Sequence, residues 1–264
     1  MSLSVREWGS GGGRTLLFWH ALGPVASAAT FGEGATVLAA RGFRVLAPDG
    51  PGFGESPLSP PEQYDVRELA RSLVAVADAR DVDRYVLAGH SWGGAVALHA
   101  AALAPARVEA VVLFDSGHID YRGETLRAPT EALRWPSLAA FEAELRSEVE
   151  RFTPELLAGY LAGTRREGEE LVGVPPEATA AAYSGLVRAS VPETWPVVAA
   201  RAIPVLLLLA TKPPHVDQNR RQLPAFQAAV PHAEVRWVPD AGHDLLADAG
   251  PALAAEIADW LERV

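Results

Sequence analysis

Two hydrophobic rhythms alternate along the chain: short runs that are apolar at nearly every position, and longer stretches where apolar side chains return every three to four residues. The runs Thr15 to Trp19, Phe43 to Ala47, Tyr85 to Ala88, Val108 to Phe114, Ile203 to Ala210 and Glu234 to Val238 predict strands, most of them buried on both faces. Leu3 to Trp8 alternates weakly and predicts an edge strand. The Gly9-Ser10-Gly11-Gly12-Gly13 run that follows predicts a hairpin loop, since it lacks the G-x-G-x-x-G spacing of a phosphate cradle. Helices are predicted over Ala28 to Ala40, ended by Arg41-Gly42, and after Asp65, where Val66, Leu69, Ala70, Leu73 and Ala77 share one face. Further helices are predicted over the alanine-rich stretch after Gly94, near Gln218 to Val230, and at the end of the chain. There Leu253, Ile257, Trp260, Leu261 and Val264 align behind Pro251. Strands alternating with helices imply right-handed crossovers and a mostly parallel central sheet flanked by helices, an α/β protein.

The rhythm breaks between Ile119 and Ala202. Helix-like stretches such as Ser137 to Phe152 and Glu155 to Glu167 are cut by Pro129, Pro136, Pro154, Pro175-Pro176, Pro192 and Pro196, with no convincing strand. A span of that length is too long for an ordinary loop, so residues 119–202 are expected to form an inserted helical cap. The sheet-bearing core then comprises residues 1–118 and 203–264. Tyr121, Trp135, Phe141, Phe152, Tyr160, Tyr183 and Trp195 supply the cap with aromatic surface, which points to a hydrophobic pocket.

A chain of 264 residues suffices for one α/β domain with an insertion. The formal net charge of −10 argues against nucleic acid or an anionic membrane as partner, because both need a cationic footprint. The absence of cysteine removes disulfides, thiolate metal sites and a cysteine nucleophile. The N-terminal residues Met1 to Glu7 lack a basic-then-apolar signal and no apolar run is long enough to span a bilayer, so a soluble, cytoplasmic protein is expected. The oligomeric state is left open.

Candidate chemistry centres on Gly89-His90-Ser91-Trp92-Gly93-Gly94, between the Tyr85 run and the alanine-rich helix. A strand entering a helix through G-x-S-x-G is a nucleophile elbow, in which the serine sits on a strained turn with its hydroxyl exposed. The hydroxyl needs a base to take its proton, and His243, in the Pro239-Asp240-Ala241-Gly242-His243-Asp244 loop after the last strand, is the best candidate. The remaining histidines carry blander expectations: His20 braces a loop, His90 neighbours the elbow, and His118 is a polar loop residue. None of them forms a metal spacing, and no metal or organic cofactor is implied.

With nucleophile and histidine in this order, the sequence resembles the α/β-hydrolase superfamily over nearly all of its length outside the cap. His20-Ala21-Leu22-Gly23 is similar to the family's H-G-x-G loop with alanine in second place. The resemblance implies that the backbone N–H groups of Leu22 and Trp92 form an oxyanion hole. Asp49-Gly50-Pro51-Gly52-Phe53-Gly54-Glu55-Ser56 is similar to a D-x-x-G-x-G-x-S loop that is structural in most members. The acid of the triad usually follows the strand after the cap, but Ala210-Thr211-Lys212-Pro213-Pro214 has no aspartate and Asp217 comes late. A variant of the family sets the acid directly after the strand before the cap, where this chain has Asp115. Asp115 and Asp217 are therefore both candidates, the first also readable as a strand-end turn residue and the second as a helix cap.

The resemblance implies acyl transfer to water on a small, largely apolar, ester-like substrate through a Ser-His-Asp triad. Serine in the elbow disfavours the aspartate chemistry of dehalogenases and epoxide hydrolases. C–C bond hydrolases, lactonases and cofactor-free haloperoxidases keep the serine and stay open as alternatives. So does a non-catalytic ligand-binding or scaffold protein on the same fold.

Overall fold

The computed structural model describes residues 3–10 and 12–264. Met1, Ser2 and Gly11, which belong to the N-terminal stretch and the glycine run discussed above, lie outside the described residues. Among the described residues the chain begins with β1 (Val5–Trp8), β2 (Thr15–Trp19), α1 (Gly32–Ala40), β3 (Arg44–Pro48), α2 (Val66–Asp78), β4 (Tyr85–His90), α3 (Trp92–Leu103) and β5 (Val108–Phe114). The inserted segment contributes β6 (Arg134–Trp135), α4 (Leu138–Glu148), α5 (Pro154–Leu161), β7 (Arg165–Glu167), β8 (Glu170–Val172), α6 (Pro176–Arg188) and α7 (Trp195–Ala200). β9 (Val205–Ala210), α8 (His215–Ala229), β10 (Glu234–Val238) and α9 (Leu245–Leu261) complete the chain.

Seven strands form one sheet in the order β1-β3-β2-β4-β5-β9-β10, parallel except for β1. Alternate side chains of these strands feed two separate cores. Leu17, Trp19, Leu87, Leu113 and Leu207 pack with α2, α3, α6, α7 and α8 on one face. Leu16, Phe18, Val86, Val112, Leu206 and Leu208 pack with α1 and α9 on the other. This two-sided burial explains why β2, β4 and β9 read as uninterrupted apolar runs: every position along them is buried. α2 shows the predicted stripe, with Val66, Leu69, Ala70, Leu73 and Ala77 buried, and Asp65 Oδ1 accepts from the Arg67 N–H at 2.9 Å to cap it.

Several expectations are corrected. β1 and β2 do not form a hairpin: β1 pairs antiparallel with β3, which separates it from β2. β2, apolar on both faces, takes an interior place between two parallel partners. The glycine run instead passes so close to the chain entering β3 that a Cβ on Gly13 would lie 1.8 Å from the Gly42 carbonyl oxygen. The predicted helix at 28–40 is divided into a 3₁₀ turn, Ala28–Phe31, and α1. The inserted segment is not strand-free. The second helix-like stretch ends at Leu161, and Arg165–Glu167 turns back on Glu170–Val172 through a two-residue loop beginning at Gly168, whose φ of 65° favours glycine. With β6 these strands make a small three-stranded sheet. Trp135, Phe141, Leu145 and Leu171 pack there with Val25 into a third cluster. Trp195 Nε1–H donates to the Gly117 carbonyl at 3.0 Å, and the Val174 N–H donates to the Pro24 carbonyl at 2.7 Å, fastening the insertion to the loops after β5 and β2. Among the described residues no helix is long and apolar enough to cross a membrane.

Candidate active site

The loops at the carboxyl ends of β2, β4, β5, β9 and β10 meet at one edge of the sheet, the usual place for a site in a parallel α/β protein. Ser91, between β4 and α3, has φ 55° and ψ −116°. Such a backbone is costly for a residue with a side chain and persists only where its surroundings over-determine it. Here the Ser91 N–H donates to the Phe114 carbonyl at 3.1 Å, and its own carbonyl accepts from Gly94 at 2.9 Å. The glycines are required by contact: a Cβ on Gly89 would lie 2.1 Å from the Gly93 carbonyl oxygen, and one on Gly93 would lie 2.0 Å from that of Trp19. The side chain of Ser91 makes no hydrogen bond to the start of α3, and the residue is partly exposed.

His243 lies on a loop held from two sides. The Ala241 carbonyl accepts from Thr211 and Lys212 at the exit of β9, both at 3.0 Å, and the Gly242 N–H donates to Asp248 at 2.6 Å. His90, next to Ser91, donates from Nε2 to the His243 carbonyl at 2.8 Å, which ties the loop to the elbow. The His243 ring places Nδ1 2.6 Å from Asp115 Oδ2. A carboxylate only accepts, so Nδ1 carries a proton, and Nε2 is the ring nitrogen turned away from Asp115.

Asp115, at the end of β5 with φ 48°, is 1 % exposed. Burial alone would raise its pKa. The hydrogen bonds from His243, the Ala210 N–H at 2.9 Å and Asn219 Nδ2 at 2.5 Å outweigh that and hold the carboxyl below its ordinary value of 3.8. Asn219 itself is fully buried on α8 and accepts from His118 Nε2 at 3.0 Å, so a chain His118–Asn219–Asp115–His243 runs behind the site. Asn219 escaped the sequence reading. Its one signal is its spacing of four from His215, which places both on the same face of α8.

Asp217, the other candidate acid, is not brought to His243. α8 begins three residues earlier than predicted, so Asp217 falls in its first turn and leaves His215 and Asn219 on a different face. Its side chain is 69 % exposed and lies 4.0 Å from Arg220. His20 is fully buried, accepts from the Gly50 N–H at 2.8 Å through Nε2 and packs against Trp92 and Phe53, which is the bracing role expected of it. Leu22 lies in the loop after β2, and Trp92 begins α3, so its N–H has no acceptor within the helix. The carboxylate of buried Asp49 accepts from Ala28 at 2.7 Å and Glu55 at 3.0 Å, the structural loop anticipated for that motif. On the insertion side, Tyr160 of α5 donates to Asp244, the neighbour of His243.

Asp115, His215 and His243 each offer a donor atom within 4.8 Å of the others. The two imidazoles stack face to face, 4.1 Å apart and 13° from parallel, so their in-plane lone pairs run side by side and do not converge on one ion. The set suits hydrogen bonding better than metal ligation.

Burial keeps His20, His90 and His118 below the ordinary imidazole pKa of 6.5, against the opposing pull of Asp49 on the first, Asp244 on the second and the Ser116 carbonyl on the third. As pH falls below 6.5 the unfolded chain binds protons that the folded chain refuses, so stability declines, by up to about 1.4 kcal/mol per pH unit for each such group. The thermal midpoint is expected to drop on the order of 5–10 °C between pH 7.5 and 5.5. A flat profile across that window, read by differential scanning calorimetry, contradicts this.

The sequence profile described as "Alpha/beta hydrolase family" matches residues 13–256. The chain belongs to that family. Among curated relatives of this α/β hydrolase, the dihydrolipoyllysine-residue acetyltransferase component of the acetoin cleaving system from Pseudomonas putida is 34% identical over 164 residues, 61% of this chain and 43% of that protein. The 2-hydroxy-6-oxo-6-phenylhexa-2,4-dienoate hydrolase of Burkholderia cepacia is 30% identical over 175 residues, 61% of this chain and 60% of that protein. The matches thus span less than two thirds of either relative. Among solved structures, E-2-(acetamidomethylene)succinate hydrolase superposes with a TM-score of 0.76 at 22% identity, over 98% of this chain and 95% of that one, a likeness of fold.

Proposed function

We propose that this α/β hydrolase is a serine hydrolase that cleaves a carboxylic ester or a closely related carbonyl compound through an acyl-enzyme, with Ser91 as nucleophile, His243 as base and Asp115 as orienting acid. The observation that carries the proposal is the 2.6 Å bond between Asp115 Oδ2 and His243 Nδ1, made by a histidine whose backbone is tethered to the residue before Ser91. With Nδ1–H committed to Asp115, Nε2 is the nitrogen that acts as base in this reading. Nε2 takes the Ser91 proton as Oγ bonds to the substrate carbonyl carbon. The N–H groups of Leu22 and Trp92 receive the oxyanion. Collapse breaks the bond to the leaving alkoxide, which takes the proton from Nε2 and departs as alcohol. Water repeats the sequence on the acyl-enzyme, releasing acid and free Ser91. Asp115 stays ionised throughout, in keeping with its depressed pKa.

In this reading residues 119–202 act as a cap that shapes the substrate pocket. A cavity of about 210 Å³ lies beside the proposed oxyanion loop, bounded by Gly23, Pro24, Leu133, Val174 and Tyr183, with Glu131 at its edge. A neighbouring cavity adds Trp135, Phe141 and Tyr160, with Glu144 and Glu148. Among the described residues that line them, the charged side chains are all acidic. Such a lining favours a neutral, apolar acyl or alcohol group and disfavours a substrate carrying a carboxylate.

A panel of nitrophenyl esters tests this. A neutral short-chain ester should be hydrolysed with kcat/KM at least about tenfold above its dicarboxylate monoester counterpart. Faster turnover of carboxylated dienoates, with C–C cleavage, than of any ester would overturn the ester reading.

A further inference from the structure

The imidazole of His243 is confined on more sides than a catalytic triad requires. Its Nδ1 edge meets Asp115 and its backbone meets His90, whose ring stands 5.1 Å away at 47°. One face is covered by His215, at 4.1 Å between ring centres and 13° from parallel. In this chain the segment after β9, where the family pattern sets the acid, reads Lys212-Pro213-Pro214-His215, and Asp115 on β5 supplies the carboxylate contact. A side chain from the post-β9 segment still reaches the histidine, but as a flat ring against its face.

Resting on the serine-hydrolase reading, we propose that His215 is a positioning residue whose stacked ring holds the His243 imidazole in the plane that keeps Nδ1 on Asp115 and Nε2 toward Ser91. Two physical effects support this. Rotation of the His243 ring about its Cβ–Cγ bond would drive a ring edge into His215, 4.1 Å away, so the stack opposes the tilt that breaks the Asp115 bond. During catalysis His243 becomes an imidazolium, and the π-face of a neutral ring stabilises a cation above it. His215 is suited to stay neutral, because partial burial and the charge of His243 lower its pKa while only Asp115 opposes them. The base of α8 is itself fixed, since Asn219, one turn further along, is buried and bonded to Asp115. His215 therefore projects from a rigid element.

The roles of ring face, bulk and mere occupancy are separated by His215→Phe, His215→Leu and His215→Ala. On a neutral nitrophenyl ester, the alanine and leucine variants are expected to lose about tenfold in kcat with KM changed less than about twofold, whereas the phenylalanine variant stays within about threefold of the wild type. Thermal midpoints of all variants, compared with the wild type, separate this from loss of folding. A second readout does not depend on hydrolysis: the strongly downfield proton resonance of the Nδ1–H shared by His243 and Asp115, assigned with His243→Gln. It should be sharp in the wild type and in His215→Phe, and broadened by exchange in His215→Ala. An alanine variant with full kcat and a sharp resonance overturns the proposal, and so does a leucine variant rescued as well as phenylalanine, which would reduce His215 to filler. If the wild type hydrolyses no ester and its Ser91 takes no fluorophosphonate, the hydrolase reading fails by itself. The resonance comparison then decides the positioning role of His215 in either direction.

Discussion

Ser91→Ala is expected to lower turnover of an activated ester by roughly five to six orders of magnitude, the scale seen when the nucleophile of a triad acting as a unit is removed. The fold should survive the change. The Ser91 side chain makes no bond to the helix it precedes, and its unusual backbone is enforced by main-chain contacts to Phe114 and Gly94 and by the bulk-free positions Gly89 and Gly93. Alanine keeps those contacts and adds no volume. The variant should therefore melt within a few degrees of the wild type and still bind substrate. Residual hydrolysis above the uncatalysed rate reports the oxyanion hole alone. Steady-state kinetics with an active-site-directed inhibitor as a contamination control provide the check, and retention of even a hundredth of the activity excludes Ser91 as nucleophile.

Asp115→Asn and Asp217→Asn should behave in opposite ways. With asparagine at 115, the group facing Nδ1 no longer demands a donor, the imidazole can adopt the wrong tautomer, and the imidazolium loses its counter-charge; kcat should fall by about four orders of magnitude. Stability should fall too, because the Ala210 N–H and the Asn219 amide both donate to this carboxylate in a fully buried setting. The two losses are distinguished by measuring kcat well below the variant's own melting temperature. Asp217→Asn removes an exposed carboxylate 4.0 Å from Arg220 and should leave kcat/KM within about twofold. A large effect at 217 with a small one at 115 would place the acid on α8 and would not fit the 2.6 Å contact of Asp115 with His243.

The features of this chain that were legible in its sequence share a physical cause. β2, β4 and β9 are covered on both faces, so burial imposes apolar side chains at every position and the runs stand out. The elbow glycines are dictated by backbone contacts near 2 Å, which no other residue can meet. Asp115 could be picked out as a candidate because a strand end fixes its location, while the register of a helix that starts at His215 turns Asp217 to solvent. What escaped was encoded in single polar positions or in very short elements. His215 and Asn219 are two polar residues on a helix rich in polar residues, and only the packing of α8 against β9 reveals that their shared face looks at Asp115. The small sheet of the insertion escaped because Arg165–Glu167 is exposed throughout and its partner strand is three residues long, too short for an alternating pattern to register. The place of β1 beside β3 was hidden for another reason: nearness in sequence suggested a hairpin, whereas the buried β2 needed neighbours on both sides.

The proposed chemistry depends on a nucleophilic hydroxyl at Ser91 activated by His243. Its most direct test is exposure of the purified protein to a fluorophosphonate probe, followed by intact mass and peptide mapping. One adduct per chain is expected, located on Ser91 and formed at a rate that His243→Ala reduces by at least about a hundredfold. No adduct, or one formed on Ser91 just as fast without His243, would contradict it and leave a fold that binds ligands without reacting with them.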